Sequence, residues 1–184
     1  MFSCHRTGNS IWFMISICIF CNFDLFPILS KLVKILPAYS TIHIRIRKIL
    51  FVCTGNTCRS PMAEGIFKKL TQGDESISCS SAGMSFCDGD AVSENAVIVC
   101  KEIGVDISGH RSKAICRDDV NEYDVFAVMT ENHAMTLVSA GVPKERIYIM
   151  GISDPFGGSV EVYRKCRDEI QQSCEKLYKK IKDM

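Results

Sequence analysis

Ten residues, FVCTGNTCRS from Phe51 to Ser60, gather groups that a hydrophobic core has no use for: two cysteines, an arginine, a glycine and four small polar side chains. They stand between an apolar run and a helical pattern. A loop at such a junction can turn successive backbone N–H groups inward, and the helix start adds its own free donors and the positive end of its dipole. The result is an anion cradle. Arg59 adds a guanidinium whose fork of donors matches two oxygens of a phosphate. Cys53, at the other end of the loop, faces the same cradled anion, and a thiolate at a helix N-terminus is a competent nucleophile near neutral pH. Cysteine, five intervening residues and arginine in this setting make a phosphoryl-accepting site. A nucleotide-binding Walker loop is excluded, because its second glycine and its lysine are missing.

Transfer of a phosphoryl group to Cys53 also needs a proton for the leaving group. A second loop, GISDPFGGS from Gly151 to Ser159, offers one. Asp154, stiffened by Pro155, is the candidate general acid and then the base that activates water against the phosphocysteine. Gly157 and Gly158 allow this loop a close approach to a substrate.

The elements that must hold these loops follow from periodicity. KILFVC reads as a buried strand, and PMAEGIFKKL as a helix with proline in its first turn and Met62, Ile66, Phe67 and Leu70 at helical spacing. ISCSSAG is a second strand, and SENAVIVCKEIG a helix capped by Ser93 and stopped by Gly104. YDVFAVMT is a third strand, ENHAMTLVSAG a helix closed by Gly141, and RIYIM a fourth strand. A long terminal helix over 160–181 is expected to turn Val162, Ile170, Cys174, Leu177 and Ile181 inward. Strands alternating with helices imply an α/β fold: a three-layer sandwich with a central four-stranded parallel sheet, helices on both faces, and the phosphate-binding loop after the first strand. Ligands of such sheets bind beyond the carboxyl ends of the strands, where both loops fall.

The chain has 184 residues and a formal net charge of +1, so any anion recognition is local and neither nucleic acid nor an acidic membrane is recruited by an overall field. Its 11 cysteines show no metal-ligand spacing. No metal and no cofactor are expected. The thiols suit a reducing, cytoplasmic setting, with Cys79, Cys87, Cys100, Cys116, Cys166 and Cys174 as small buried apolar groups. Residues 1–46 form an apolar and basic extension ahead of the domain at 47–184. Its apolar run IWFMISICIFC is short of the roughly 20 residues of a spanning helix. It is open whether the extension is a disordered tail, associates weakly with a membrane, or precedes the natural start. A monomer is expected.

These residues resemble the low-molecular-weight protein phosphatases. The likeness runs from KILFVCTGNTCRSPMAEGIF through SAG, GHRSKAI and YDVFAVMTENHA to SDPFGGSVEVYRKCRDEI. It implies Cys53 as nucleophile, Arg59 as phosphate clamp, Asp154 as general acid, and Thr54, Gly55, Asn56, Thr57, Cys58 and Ser60 as the phosphate loop. Within that loop the resemblance has Asn56 and Ser60 shape the backbone and hydrogen-bond the thiolate, although plain loop and cap chemistry would also account for them. It makes Cys58 the partner of Cys53 in a reversible disulfide, against the alternative of a small buried residue. His110 reads as a hydrogen-bonded structural histidine.

CTGNTCRS together with DPFGGS is most similar to the protein-arginine-phosphatase branch. There a hydroxyl at Thr57 suits the polar rim of a phosphoguanidinium, Phe156 forms a wall, and Asp154 contacts the guanidinium and protonates the departing nitrogen. The implied partners are phosphorylated proteins. Three alternatives stand beside this: a tyrosine phosphatase of the same family, an arsenate reductase, and a non-catalytic anion-binding module. An arsenate reductase on this fold needs two further cysteines about seven apart after the third strand, and MTENHAMTLVSAG has none.

Overall fold

A computed structural model describes residues 46–85 and 88–183. Residues 1–45 of the extension and Cys87 lie outside the described residues. Four strands form one parallel sheet: β1 (Arg47–Cys53), β2 (Ile77–Gly83), β3 (Val125–Val128) and β4 (Ile147–Ile149), in the order β2-β1-β3-β4. Between and after them come α1 (Arg59–Leu70), α2 (Glu94–Glu102), the short α3 (Asp119–Glu122), α4 (Glu131–Ser139), a single 3-10 turn (Lys144–Arg146) and α5 (Val160–Lys182).

β1 is central and covered on both faces, which is why it reads as a continuous apolar run. Alternate residues serve two cores. Ile49, Phe51 and Cys53 pack with residues of α1, α2 and α5, including Phe67, Val99 and Ile170. Leu50 and Val52 pack with Phe126, Val128, Ala134 and Leu137 on the α4 side. Phe51 meets Phe67 edge-on at 5.4 Å between ring centroids, which fastens α1 beneath the loop that precedes it.

The sequence expectation holds for every long element, with three differences. Val162 is 47% exposed, and the buried stripe of α5 begins instead at Tyr163 and continues through Cys166, Arg167, Ile170 and Cys174. The phase is set by Tyr163, whose hydroxyl reaches Cys58 at 3.3 Å and so turns its apolar neighbour outward. Cys116 is exposed, because it lies in the loop before α3 and its N–H donates to Asp119 Oδ2 at 2.7 Å. Ser93 occupies the cap position of α2 without a side-chain capping bond. Its hydroxyl lies 3.1 Å from Tyr163 Oη, and its N–H donates to Thr57 O at 2.9 Å.

α2 is tied to α5 through Arg167, a buried guanidinium that donates to Val99 O and Glu102 Oε2 at 2.9 and 2.7 Å. The same helix sends Asn95 Nδ2 to Gly158 O at 3.1 Å, anchoring the loop after β4. All four strands thus deliver their C-terminal ends to one edge, and α2 braces both loops found there.

Gly83 closes β2 in register with Cys53. A Cβ at this position would lie 3.0 Å from Asn56 N, Gly55 C and Thr54 O, all backbone atoms that cannot rotate away. Gly83→Ala is therefore expected to push the loop out of place, lowering kcat/KM of any reaction at Cys53 on the order of 100-fold. A phosphatase assay beside a melting curve checks this, the fold surviving with a small drop in Tm.

Candidate active site

Cys53 ends β1 with its side chain buried, and the loop that follows turns back over it. The turn requires Asn56 at φ +53°, a left-handed backbone unusual for a residue with a side chain. Asn56 is fully buried, and its carboxamide is saturated. Nδ2 donates to Ser60 Oγ and Ser81 Oγ, both at 2.9 Å, while Oδ1 accepts Lys113 N–H at 2.9 Å. His110 Nε2 lies 3.1 Å from the same oxygen and must therefore carry the ring proton.

With that geometry fixed, the Asn56 N–H points at Cys53 Sγ from 3.2 Å. Ser60 Oγ lies 3.0 Å from the sulfur on another side. Ser60 accepts from Asn56, and its own proton has two acceptors in reach, the sulfur at 3.0 Å and the more distant Ala82 O at 3.4 Å. Two donors thus converge on Sγ, the arrangement that stabilises an anionic sulfur. Behind them Ser81 donates to Glu64 Oε2 at 2.6 Å, and His110 Nδ1 faces that carboxylate at 3.8 Å. Burial pushes the His110 imidazole down from its ordinary value, opposed by Glu64 and Asn56.

Arg59 opens α1, and its side chain is only 4% exposed. Nη1 donates to Ile152 O at 3.4 Å, and Nη2 to Thr54 Oγ1 at 3.4 Å and to the Asp154 carboxylate. Nε is buried and has no partner among the described residues. A buried guanidinium donor of this kind calls for an acceptor, and a tetrahedral oxyanion in the loop would supply it. Asp154 itself is half exposed, its Oδ1 accepting Phe156 N–H at 3.2 Å, in a turn closed by Gly158 N–H on Pro155 O with Gly157 at φ +74°.

The residues singled out by sequence separate into three groups. Cys53, Asn56 and Ser60 meet at the sulfur, and Thr54, Arg59 and Asp154 meet at the guanidinium. Thr57 and Cys58 sit together, Thr57 Oγ1 lying 3.8 Å from the Cys58 thiol, and Cys58 is buried against Tyr163. Phe156 stands apart at the rim, 81% exposed. Four residues escaped the sequence reading: Glu64, Ser81, His133 and Tyr163. Ser81 was visible in principle as a polar side chain within a strand. His133 was visible as a histidine one turn into a helix that starts at the loop edge of the sheet.

A family model described as low molecular weight phosphotyrosine protein phosphatase matches residues 48–184. A protein-arginine-phosphatase of Geobacillus stearothermophilus is 34% identical over 145 residues, covering 73% of this chain and 95% of its own. A glutaredoxin arsenate reductase of Synechocystis is 34% identical over 135 residues, with 73% and 98% covered. Among solved structures, a low molecular weight protein tyrosine phosphatase from T. tengcongensis superposes with a TM-score of 0.69 at 38% identity, covering 73% of this chain and 99% of that one.

The lowered His110 value has a measurable consequence. The folded state favours neutral imidazole, whereas the unfolded residue titrates near about 6.5. Stability from this group is complete above the unfolded value and is lost as pH falls through the folded one. His133 is shifted the same way, by burial and by Arg59, with Asp154 opposing. Denaturant midpoints are expected to fall as pH drops below about 6.5, and His110→Gln should flatten part of that slope.

Proposed function

Because this chain belongs to the low molecular weight phosphotyrosine protein phosphatase family, we propose that it is a cysteine-dependent phosphoprotein phosphatase whose substrate is protein-bound phosphoarginine. The observation that carries this is the convergence of two donors on Cys53 Sγ beside a buried guanidinium with an unpartnered Nε and a carboxylate on its Nη2. Inward N–H groups of the loop and Arg59 hold the phosphoryl oxygens. The Cys53 thiolate attacks phosphorus in line, the P–N bond breaks, and Asp154 gives its proton to the departing nitrogen. Asp154 then takes a proton from water as that water attacks the phosphocysteine, and the thiolate leaves with inorganic phosphate as the product.

Arg59 links capture to release. The edge formed by Nε and Nη2 is the one that binds an oxyanion side-on, and Asp154 occupies half of it. A phosphate oxygen that takes Nη2 frees the carboxylate to accept the proton it must later donate. The arginine preference rests on Thr57 and on the half-exposed Asp154, since a flat cation rewards a carboxylate partner more than a phenol does. The named arginine phosphatase among the relatives supports the same choice. Phosphotyrosine is the second reading, because the exposed Phe156 offers a ring face to a phenol as well as to a guanidinium. Arsenate reduction is disfavoured, as the chain from Arg117 to Lys165 contains no cysteine to relay a disulfide outward. The free thiols suit a cytoplasmic setting, and no helix among the described residues is long and apolar enough to cross a membrane.

Cys58 is assigned as the redox partner. A hydroperoxide oxidises the Cys53 thiolate to a sulfenic acid, and Cys58 then forms the S–S bond and displaces the oxygen as water. Activity lost to hydrogen peroxide should return on adding dithiothreitol in the wild type and remain lost in Cys58→Ser; equal recovery would remove this assignment.

Phosphate release from phosphoarginine and phosphotyrosine peptides tests the substrate. The wild type should favour phosphoarginine, Thr57→Ile should shift the ratio at least tenfold toward phosphotyrosine, on the order of 1.4 kcal/mol, and Cys53→Ser should abolish both while still binding inorganic phosphate. Faster phosphotyrosine turnover by the wild type would reverse the assignment.

A further inference from the structure

His133 takes no part in the mechanism above, yet its imidazole is suspended between two hydroxyls at the edge of the site. Nδ1 lies 3.0 Å from Thr130 Oγ1, the N-cap of its own helix, and Nε2 lies 3.1 Å from Thr54 Oγ1 in the phosphate loop. Proton accounting fixes the direction of this bridge. Arg59 can only donate, so on that side Thr54 Oγ1 is an acceptor. The remaining Thr54 proton has one acceptor in reach among the described residues, His133 Nε2. The ring proton then sits on Nδ1 and is donated to Thr130, and every polar atom of the ring is used. Burial and the charge of Arg59, opposed by Asp154, push the imidazole down from its ordinary value, the direction this scheme requires.

Resting on the assignment of Arg59 as phosphate clamp, we propose that His133 is a positioning residue that acts through Thr54: by taking the Thr54 proton it turns the hydroxyl lone pairs toward Arg59 and holds Nη2 in place for the substrate phosphoryl group. Thr54 is itself exposed and follows directly after the nucleophile, so without His133 only the long 3.4 Å contact from Arg59 Nη2 orients its hydroxyl among the described residues. Released, the side chain can rotate its hydroxyl away from Nη2 toward solvent, and the clamp loses that support.

Two replacements separate this role from simple helix capping. Glutamine places its amide near the position of Nε2 and can still meet Thr54, whereas asparagine reaches only the position of Nδ1 and keeps the contact with Thr130. His133→Ala is expected to lower kcat/KM about tenfold and to raise the inhibition constant of inorganic phosphate by a similar factor. His133→Gln should recover most of that loss, and His133→Asn should not. In a double-mutant cycle, Thr54→Val and His133→Ala should not multiply: the pair should lose about tenfold rather than about 100-fold.

Rescue by asparagine in place of glutamine, or fully multiplicative losses, would overturn the proposal and leave His133 as a structural cap. Melting curves on each variant remove fold loss from the comparison. Arg59→Ala provides the independent control. If that variant keeps normal turnover, the clamp assignment fails; if it is inactive while the His133 variants behave additively, only the positioning role fails.

Discussion

The candidate site depends on the carboxamide of one residue. Asn56 adopts a left-handed backbone that costs a side-chain-bearing residue roughly 1–2 kcal/mol. Four hydrogen bonds to its buried side chain, from α1, β2 and the His110–Lys113 segment, offset that cost. None of those partners is local in the sense of a turn residue satisfying itself. The loop therefore keeps the Asn56 N–H aimed at Cys53 Sγ only while three separate parts of the fold stay in register. A glycine would reach the same φ at no steric cost, but it would leave Ser60, Ser81 and the Lys113 N–H without their common partner at a fully buried position.

That dependence explains why such a loop belongs on the central strand. β1 is flanked by β2 on one side and β3 on the other, so Ser81 and Gly83 come from one neighbour, while Met129 and the α4 start come from the other. The parallel sheet brings all these strand ends to one level, and the two apolar cores fix the height of the strand itself. On the far side, Tyr163 and Ser93 hold the second half of the loop through Cys58 and Thr57. The geometry at Cys53 Sγ is thus imposed from both sides.

Much of this could be read from the sequence, for physical reasons that differ between elements. Strands and helices with one buried face announce themselves by period, as in KILFVC and in the stripe Ile170, Cys174, Leu177 and Ile181. Chemistry concentrated within six residues, as from Cys53 to Arg59, is equally visible. Partners brought in from a distance are not. Glu64 looks like any surface acid of a helix until Ser81 and His110 are seen to converge on it, and Tyr163 looks like a neighbour of Val162 with no reason to prefer the interior. The error at Val162 has this origin: hydropathy favoured the valine, and a hydrogen bond across 105 positions of sequence favoured the tyrosine.

Electrostatics adds a constraint that the loop alone does not contain. Arg59 is nearly sealed from solvent, and a buried guanidinium without a counter-charge is costly. Asp154 supplies the charge, but from a half-exposed position at the start of the turn closed by Gly158 N–H on Pro155 O, where it is solvated well enough to leave. A fully buried carboxylate would hold the arginine too firmly to yield it to a substrate, and a distant one would leave the cation unpaired. An acid at the rim, reaching inward to a buried cationic clamp, satisfies both demands. In the phosphatase reading proposed above, the same reach puts its proton beside the leaving group once a phosphoryl oxygen has taken over Nη2.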